Sequence, residues 1–237
     1  MTATTFDRLL GGRVLLEQPA AGLRAAIDAV LLAAAVPARP GDAVLELGCG
    51  TGVAFLCLAA RVPGLAVHAV ELDPALVTLA RANAAHAGLA AGIAQGDMRQ
   101  PAPPVRHAFA NPPYWPGGTA SPNPLRRGAA HEAAAGLAEW VAALARPVER
   151  RGSITLILPA ARFSEAAAAL RAATCGSIAL LPLLPRAGEP ARRVILRGIQ
   201  GGRGPDRLLA GLVLHAADGS FTPAAEAVLR GGESLAF

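Results

Sequence analysis

Residues 43–52 read AVLELGCGTG, and this stretch decides the fold. Its first five residues predict a buried strand, the alternating glycines Gly48, Gly50 and Gly52 predict a turn, and the apolar residues that follow predict a helix. Glycine lets a backbone approach a ligand closely, and the first N–H groups of the next helix point toward that ligand. A dinucleotide site requires the spacing G-x-G-x-x-G. The spacing here is G-x-G-x-G, with Glu46 two residues before the first glycine, which disfavours a nicotinamide or flavin cofactor.

Acidic residues follow the next two predicted strands. Residues 66–70 form an apolar strand that ends at Glu71, and Asp73, directly before a proline, is typical of a helix N-cap. In a doubly wound sheet, an acid at the tip of the second strand lies beside the glycine turn and can bind a ribose diol. Because Asp73 is explained as a cap, we predict that role for Glu71. A third strand over 90–94 is followed by Asp97, which can accept a hydrogen bond from an adenine amino group.

A fourth strand, residues 105–109, leads into Ala-Asn-Pro-Pro-Tyr at 110–114. The two prolines donate no backbone hydrogen bond and fix φ, so the chain leaves the sheet in a stiff, extended shape. Their carbonyl oxygens remain acceptors, and the Asn111 amide and the Tyr114 ring belong to the same rigid segment. Acceptors beside an aromatic face suit a planar amino group, such as the exocyclic nitrogen of a base.

The charge of the chain indicates a polyanionic partner. The net charge is +5, and all 22 basic residues are arginine, a side chain that binds phosphates and stacks on bases. A coding bias toward arginine is the alternative explanation. Arg126 and Arg127 belong to a Pro/Gly-rich loop over 115–130, and loops of this length are more often functional than idle. They are candidate phosphate contacts, with a solvated pair as the alternative.

Several other features argue against a metal or a membrane. The three cysteines lack metal-like spacing and are read as core residues, and His131 has no second ligand at a useful spacing. His131 is predicted to open a helix that carries Trp140 in the core. No apolar run reaches 18 residues, so a soluble, cytoplasmic protein is expected.

The remaining segments complete an α/β fold. A hairpin is predicted over 6–17, and a helix over 24–36 contains Asp28, read either as a solvated position or as the partner of Arg24. Three further strands are predicted over 152–158, 177–184 and 192–199, and the loop before the last is too short for a helix, which makes that strand antiparallel. We therefore predict a doubly wound, seven-stranded, mostly parallel sheet with an antiparallel last strand. The predicted organisation is one domain over 1–237, with an N-terminal hairpin and helix at 6–37 and a tail at 203–237.

The motifs ELGCGTG, VELDP, GDM and ANPPY, in this order and spacing, resemble class I S-adenosylmethionine-dependent methyltransferases over about residues 20–200. Within that family, Asn-Pro-Pro-Tyr marks enzymes that methylate planar nitrogens: adenine N6, cytosine N4 or a glutamine amide. The short hairpin, the Ile-Asp-Ala-Val-Leu-Leu-Ala helix and the Arg-rich stretch before His131-Glu132 are similar to bacterial adenine-N6 methyltransferases that act beside the anticodon of a valine tRNA. A protein-glutamine methyltransferase, which usually has a larger N-terminal domain, and a non-catalytic partner that binds cofactor or RNA are the alternatives.

This resemblance implies a role for each candidate residue. Glu71 binds the ribose hydroxyls of S-adenosylmethionine, Asp97 its adenine amino group, and Asp28 closes its methionine end. The Asn111 side chain and the Pro112 carbonyl accept the hydrogens of the target amino group, and Tyr114 stacks on the base. Arg126 and Arg127 contact RNA, most simply a tRNA. The implied cofactor contacts are Asp28, Glu46, Gly48, Gly50, Gly52, Glu71, Asp97 and Asn111.

Overall fold

The N-terminal hairpin stands apart from the main sheet. In this computed structural model, which describes residues 3–20, 27–113 and 136–237, strands β1 (Thr4–Leu9) and β2 (Val14–Pro19) pair antiparallel. A 3-10 turn joins them, and its Gly11 and Gly12 have φ of 65° and 94°, values that favour glycine. The predicted hairpin is confirmed.

The main sheet is mostly parallel. Its strands are β3 (Ala43–Leu47), β4 (Ala66–Glu71), β5 (Ala91–Gln95), β6 (Val105–Ala110), β7 (Val148–Pro159), β8 (Cys175–Leu184), β9 (Arg193–Gln200), β10 (Arg207–Leu208) and β11 (Leu212–Val213). Across the sheet the order is β5-β4-β3-β6-β7-β9-β8, with β10 and β11 both on the outer side of β8. Strand β9 runs antiparallel to β7 and β8, and the other pairings are parallel. The predicted sheet class is confirmed, and so is the antiparallel strand predicted over 192–199, which is β9.

The predicted count of seven strands is wrong for the part of the chain that the structure describes, because this sheet contains nine. Strands β10 and β11 belong to the predicted tail and are two residues long, too short to show an alternating pattern. They pair with the edge of β8, where the Leu209 and Leu214 N–H groups donate to the carbonyls of Leu180 and Leu184. Otherwise these edge carbonyls would lack protein partners.

Helices cover both faces of the sheet. They are α1 (Ile27–Ala35), α2 (Val53–Arg61), α3 (Pro74–His86), α4 (Leu137–Ala145), α5 (Phe163–Ala172) and α6 (Pro223–Leu229). Side chains of α1, α2, α3 and α6 contribute to one hydrophobic cluster, and those of α4 and α5 contribute to a second. Trp140 is 1% exposed in the second cluster, which confirms it as a core residue. Its helix begins at Leu137, and the predicted start at His131 lies outside the described residues.

The hairpin and the C-terminal tail share one core with the sheet. Leu16 of β2 and Val228 of α6 belong to the same cluster as Val44 of β3. The Leu235 N–H donates to the carbonyl of Ala34 at the end of α1, 2.9 Å away. This shared core supports the single domain over 1–237, which stays a prediction.

The ends of four parallel strands form one edge of the sheet. Leu47 at the end of β3 lies opposite Val70 of β4 on one side and Ala110 of β6 on the other, and Glu71 lies opposite Gln95 of β5. The residues that follow these strands are therefore neighbours, separated by about 4.8 Å per strand. They carry the candidate site.

Candidate active site

The turn between β3 and α2 has the conformation that its glycines predict. Gly48, Gly50 and Gly52 have φ of 65°, 57° and 93°, where other residues are strained. A Cβ added at Gly52 would lie 2.5 Å from the Phe55 ring, so this glycine is required for packing. A Cβ added at Gly50 would meet no atom within 4 Å. The backbone at Gly50 therefore borders open space, which a ligand can enter.

Strand β4 anchors this turn. The N–H groups of Gly48 and Cys49 both donate to the Val70 carbonyl, at 2.9 and 3.2 Å. The Gly50 N–H donates to Oε2 of Glu71 at 2.8 Å. The conformation of the turn is thus set by the strand that carries the candidate ribose-binding acid.

Glu71 is 6% exposed and lies at the tip of β4. Its Oε2 accepts from Gly50 and its Oε1 from the N–H of Asp73, 2.9 Å away. Burial raises the pKa of Glu71, and these backbone donors oppose that rise. Each carboxylate oxygen can accept a second hydrogen bond, so this geometry leaves acceptor capacity beside the turn. Asp73 caps α3, since its Oδ1 accepts from the Ala75 and Leu76 N–H groups at 2.7 and 3.4 Å.

Glu46 lies beneath the turn. It is 4% exposed, and its Oε2 accepts from the N–H of Phe55 in the first turn of α2, at 2.9 Å. Burial, opposed by this hydrogen bond and reinforced by the charge of Glu71, raises the pKa of Glu46 well above its ordinary value. A buried carboxyl in this position stabilises the start of α2. Direct contact between Glu46 and the cofactor stays a prediction.

Asp97 follows β5 and is partly exposed. Its Oδ1 accepts from the Arg99 N–H at 2.7 Å and its Oδ2 from the Arg99 guanidinium at 2.9 Å. The same guanidinium donates to Glu139 of α4 at 2.6 Å. Arg99 and Glu139 were not expected at this edge. The Asp-x-Arg spacing was a local signal for the first pair, but nothing near Arg99 in sequence indicated Glu139.

Asn111 and Pro112 follow β6 and lie beside the glycine turn. Because Ala110 pairs with Leu47, the segments that begin at Asn111 and at Gly48 leave the sheet from the ends of neighbouring strands. Pro112 is buried, whereas Asn111 is half-buried. The structure thus brings the predicted amino-group acceptors to the strand next to the predicted cofactor turn. Tyr114, Arg126 and Arg127 lie outside the described residues.

Asp28 is in the first turn of α1, where its Oδ2 accepts from Nε of Arg193 at 3.2 Å. Arg193 begins β9 and pairs with Pro159 at the end of β7, so this ion pair also lies at the edge where the parallel strands end. The alternative partner, Arg24, lies outside the described residues. A partner 165 residues away was not visible in the sequence.

Residues 3–20, 27–113 and 136–237 contain neither a metal-ligand cluster nor a membrane-spanning helix. In those ranges, no three histidine, cysteine or acidic side chains are grouped to hold a metal ion. No helix in the same ranges is long and apolar enough to cross a membrane.

Comparisons with known proteins identify a family, relatives in sequence and a similar solved structure. A methyltransferase domain family matches residues 44–110. The tRNA1(Val) (adenine(37)-N6)-methyltransferase of Aeromonas hydrophila is 31% identical over 206 residues, which cover 84% of this chain and 86% of that protein. The enzyme of the same name from Pasteurella multocida is 29% identical, over 73% of this chain and 75% of its own.

The solved structure of a predicted O-methyltransferase from Agrobacterium tumefaciens has a similar fold, with a TM-score of 0.71. The two chains are 24% identical, and the match covers 88% of this chain and 98% of that one. This neighbour supports the methyltransferase architecture, and the sequence relatives identify the group within it. The chain belongs to the tRNA1(Val) (adenine(37)-N6)-methyltransferase family.

Proposed function

We propose that this protein transfers a methyl group from S-adenosylmethionine to N6 of an unstacked adenine in tRNA. The observation that carries the proposal is the adjacency of two sites on neighbouring strands: the glycine turn after β3 and Asn111-Pro112 after β6. The first suits a cofactor and the second a planar amino group. The choice of a tRNA adenine follows the names of the relatives in Aeromonas and Pasteurella.

The residues around the turn fit the proposed cofactor. The open space at Gly50 admits a ligand against the backbone, while Gly48 and Gly52 let the chain turn beneath it. Glu71 is next to this space and retains acceptor capacity for a ribose diol. In this proposal Asp97, which follows the neighbouring strand β5, accepts from the adenine amino group, and Arg99 orients its carboxylate. The cofactor supplies an activated methyl group on a sulfonium.

Two further acids have indirect roles in this proposal. Glu46 supports the turn by accepting from the first turn of α2. Asp28, paired with Arg193, borders the methionine part of the cofactor. Direct contacts of either carboxylate with the cofactor are expectations from the family resemblance.

Asn111 and Pro112 activate and orient the acceptor nitrogen in this mechanism. The lone pair of an adenine amino group is delocalised into the ring, so the group is a poor nucleophile. The side-chain oxygen of Asn111 and the Pro112 carbonyl each accept one of its hydrogens, which favours a pyramidal nitrogen with its lone pair directed at the methyl group. Preorganised groups of this kind contribute about 3 kcal/mol each in the transition state. The extra proton leaves for solvent after transfer, so no base is required beforehand.

The RNA side of the proposal depends on Tyr114, Arg126 and Arg127. Tyr114 stacks on the flipped base, a contact that contributes about 1–3 kcal/mol in comparable sites. Arg126 and Arg127 bind phosphates, in keeping with the net charge of +5. An adenine in a single-stranded loop is the easiest to extrude. We propose a cytoplasmic location, in keeping with a tRNA substrate.

The test uses tritiated S-adenosylmethionine with the purified protein, total tRNA and, separately, a protein extract. We expect label in N6-methyladenosine after nucleoside analysis. Asn111→Ala should abolish this turnover and leave the affinity for S-adenosylhomocysteine within about twofold, because Asn111 acts mainly on the acceptor. Label in protein rather than RNA would overturn the substrate, and normal turnover by the variant would overturn the mechanism.

A further inference from the structure

Asn83 connects three segments that are distant in sequence. It lies in α3 and is fully buried, with 0% of its surface exposed. Its Oδ1 accepts from the Glu17 N–H at 2.8 Å, and its Nδ2 donates to the Glu17 carbonyl at 2.8 Å. The same Nδ2 donates to the carbonyl of Thr51 in the glycine turn, 2.9 Å away.

The two bonds to Glu17 complete the edge of the hairpin. Glu17 belongs to β2 and lies opposite Phe6 of β1. In an antiparallel pair, alternate residues direct both backbone groups away from the partner strand. Glu17 directs both toward α3, where Asn83 replaces a neighbouring strand. This satisfies the partly buried N–H and carbonyl of Glu17 and requires only one hydrogen of Nδ2.

The second hydrogen of Nδ2 bonds to the turn that borders the proposed cofactor. The Thr51 carbonyl and the Gly52 N–H belong to one peptide unit. Its N–H donates to the Cys49 carbonyl at 2.9 Å, and its carbonyl accepts from Asn83. Both sides of this peptide are therefore fixed, while Gly50 is fixed by Glu71. Strand β4 and helix α3 hold the turn from two directions.

We propose that Asn83 is a positioning residue that holds the glycine turn in its binding shape and couples it to the N-terminal hairpin. It acts through Thr51, so cofactor affinity depends on a side chain in the core of α3. The hairpin is thereby part of the cofactor-binding apparatus. This inference rests on the proposed function, because it assumes that the turn binds S-adenosylmethionine.

The first test requires no variant. Coupling between two sites is reciprocal, so a ligand that fixes the turn must also stabilise what the turn is bonded to. Hydrogen–deuterium exchange of the wild-type protein, with and without S-adenosylhomocysteine, should show slower exchange in the turn and in residues 14–19 of β2. Slower exchange in the turn alone, with β2 unchanged, would overturn the coupling. Failure of S-adenosylhomocysteine to bind would instead overturn the proposed function.

The second test separates positioning from stability. Asn83→Asp keeps an acceptor for the Glu17 N–H but loses both donated bonds. Val77→Ala is the matched control, because Val77 is in the same helix, is 2% exposed and bonds to no part of the turn. Both variants should melt at lower temperature than wild type. Only Asn83→Asp should weaken S-adenosylhomocysteine binding, by about tenfold in calorimetry, within the usual range of coupling between sites.

Affinities for Asn83→Asp and Val77→Ala that agree within about twofold would show that Asn83 contributes to stability alone, and would overturn its positioning role. The measurement is made well below both melting temperatures, with the folded state verified by circular dichroism. If Asn83→Asp does not fold, the exchange experiment on the wild-type protein decides.

Discussion

Acid should destabilise this protein through His107, a buried residue of β6 that is 6% exposed. Its Nδ1 lies 2.8 Å from Oγ of Ser153, and its Nε2 lies 3.3 Å from Oδ2 of Asp42. Burial lowers the pKa of His107 to about 4, although Asp42 opposes that change. In the unfolded chain an ordinary histidine titrates near pH 6.5. The unfolded state therefore takes up a proton at a pH where the folded state does not.

The sign and size of the effect follow from this difference in pKa. Because the folded-state pKa is the lower one, stability is present above pH 6.5 and is lost as the pH falls toward 4. The full difference corresponds to about 3 kcal/mol, and about 2 kcal/mol of this is lost between pH 7 and pH 5. The free energy of unfolding from urea titrations at both pH values measures the loss.

A variant isolates this contribution from those of other groups. Glu46 and Glu71 have raised pKa values, so they oppose His107 by adding stability as the pH falls. His107→Gln removes the titrating ring and keeps a polar side chain for Ser153. Between pH 7 and pH 5, the free energy of unfolding of wild type should fall by about 2 kcal/mol more than that of this variant. Equal losses in the two proteins would refute the reasoning.

Three further predictions concern the glycine turn, Glu71 and Arg61 at the end of α2. Gly50→Ala should weaken S-adenosylhomocysteine binding in calorimetry, because its Cβ enters the open space. Gly52→Ala should mainly lower the melting temperature, because its Cβ forces the Phe55 ring to move. Equal changes in affinity and in melting temperature for the two variants would contradict this assignment. Glu71→Ala should reduce cofactor affinity by tenfold or more, because it removes the proposed ribose acceptor and the partner of the Gly50 N–H. A tenfold loss corresponds to about 1.4 kcal/mol. Unchanged affinity would move the ribose contact to another residue. Arg61→Met should cost about 2 kcal/mol in urea unfolding, because its guanidinium bonds to two carbonyls at the C-terminal end of α1, each 2.8 Å away; a loss below about 0.5 kcal/mol would show that water replaces these bonds.

Local patterns predicted the elements around the site well. The strand Ala43–Leu47 has the predicted bounds, and the predicted helix after the turn, Val53–Arg61, begins directly after Gly52. In each case an apolar run meets glycine, proline or a cap, so the signal and the boundary are adjacent in sequence. The order of motifs along the chain then indicated which strand ends carry the candidate residues.

Pairings between distant segments were beyond the same reasoning. Asp28 and Arg193 are 165 residues apart, and Asn83 and Glu17 are 66 apart. An asparagine in a helix gives no sign in its own sequence neighbourhood of whether it faces solvent or the edge of a hairpin. Strands β10 and β11 were missed for a related reason, because two residues acquire strand geometry only from the edge of β8.

These distant pairings bear directly on the proposed chemistry. A glycine-rich turn is flexible in isolation, and a ligand that had to order it would lose affinity to that entropy. Here its peptides are held by Val70 and Glu71 of β4 and by Asn83 of α3 before any ligand arrives. The glycines can therefore provide close approach at a lower entropic cost to binding. The affinity of the turn for its cofactor is then set as much by these two supporting elements as by the Gly-Cys-Gly-Thr-Gly sequence itself.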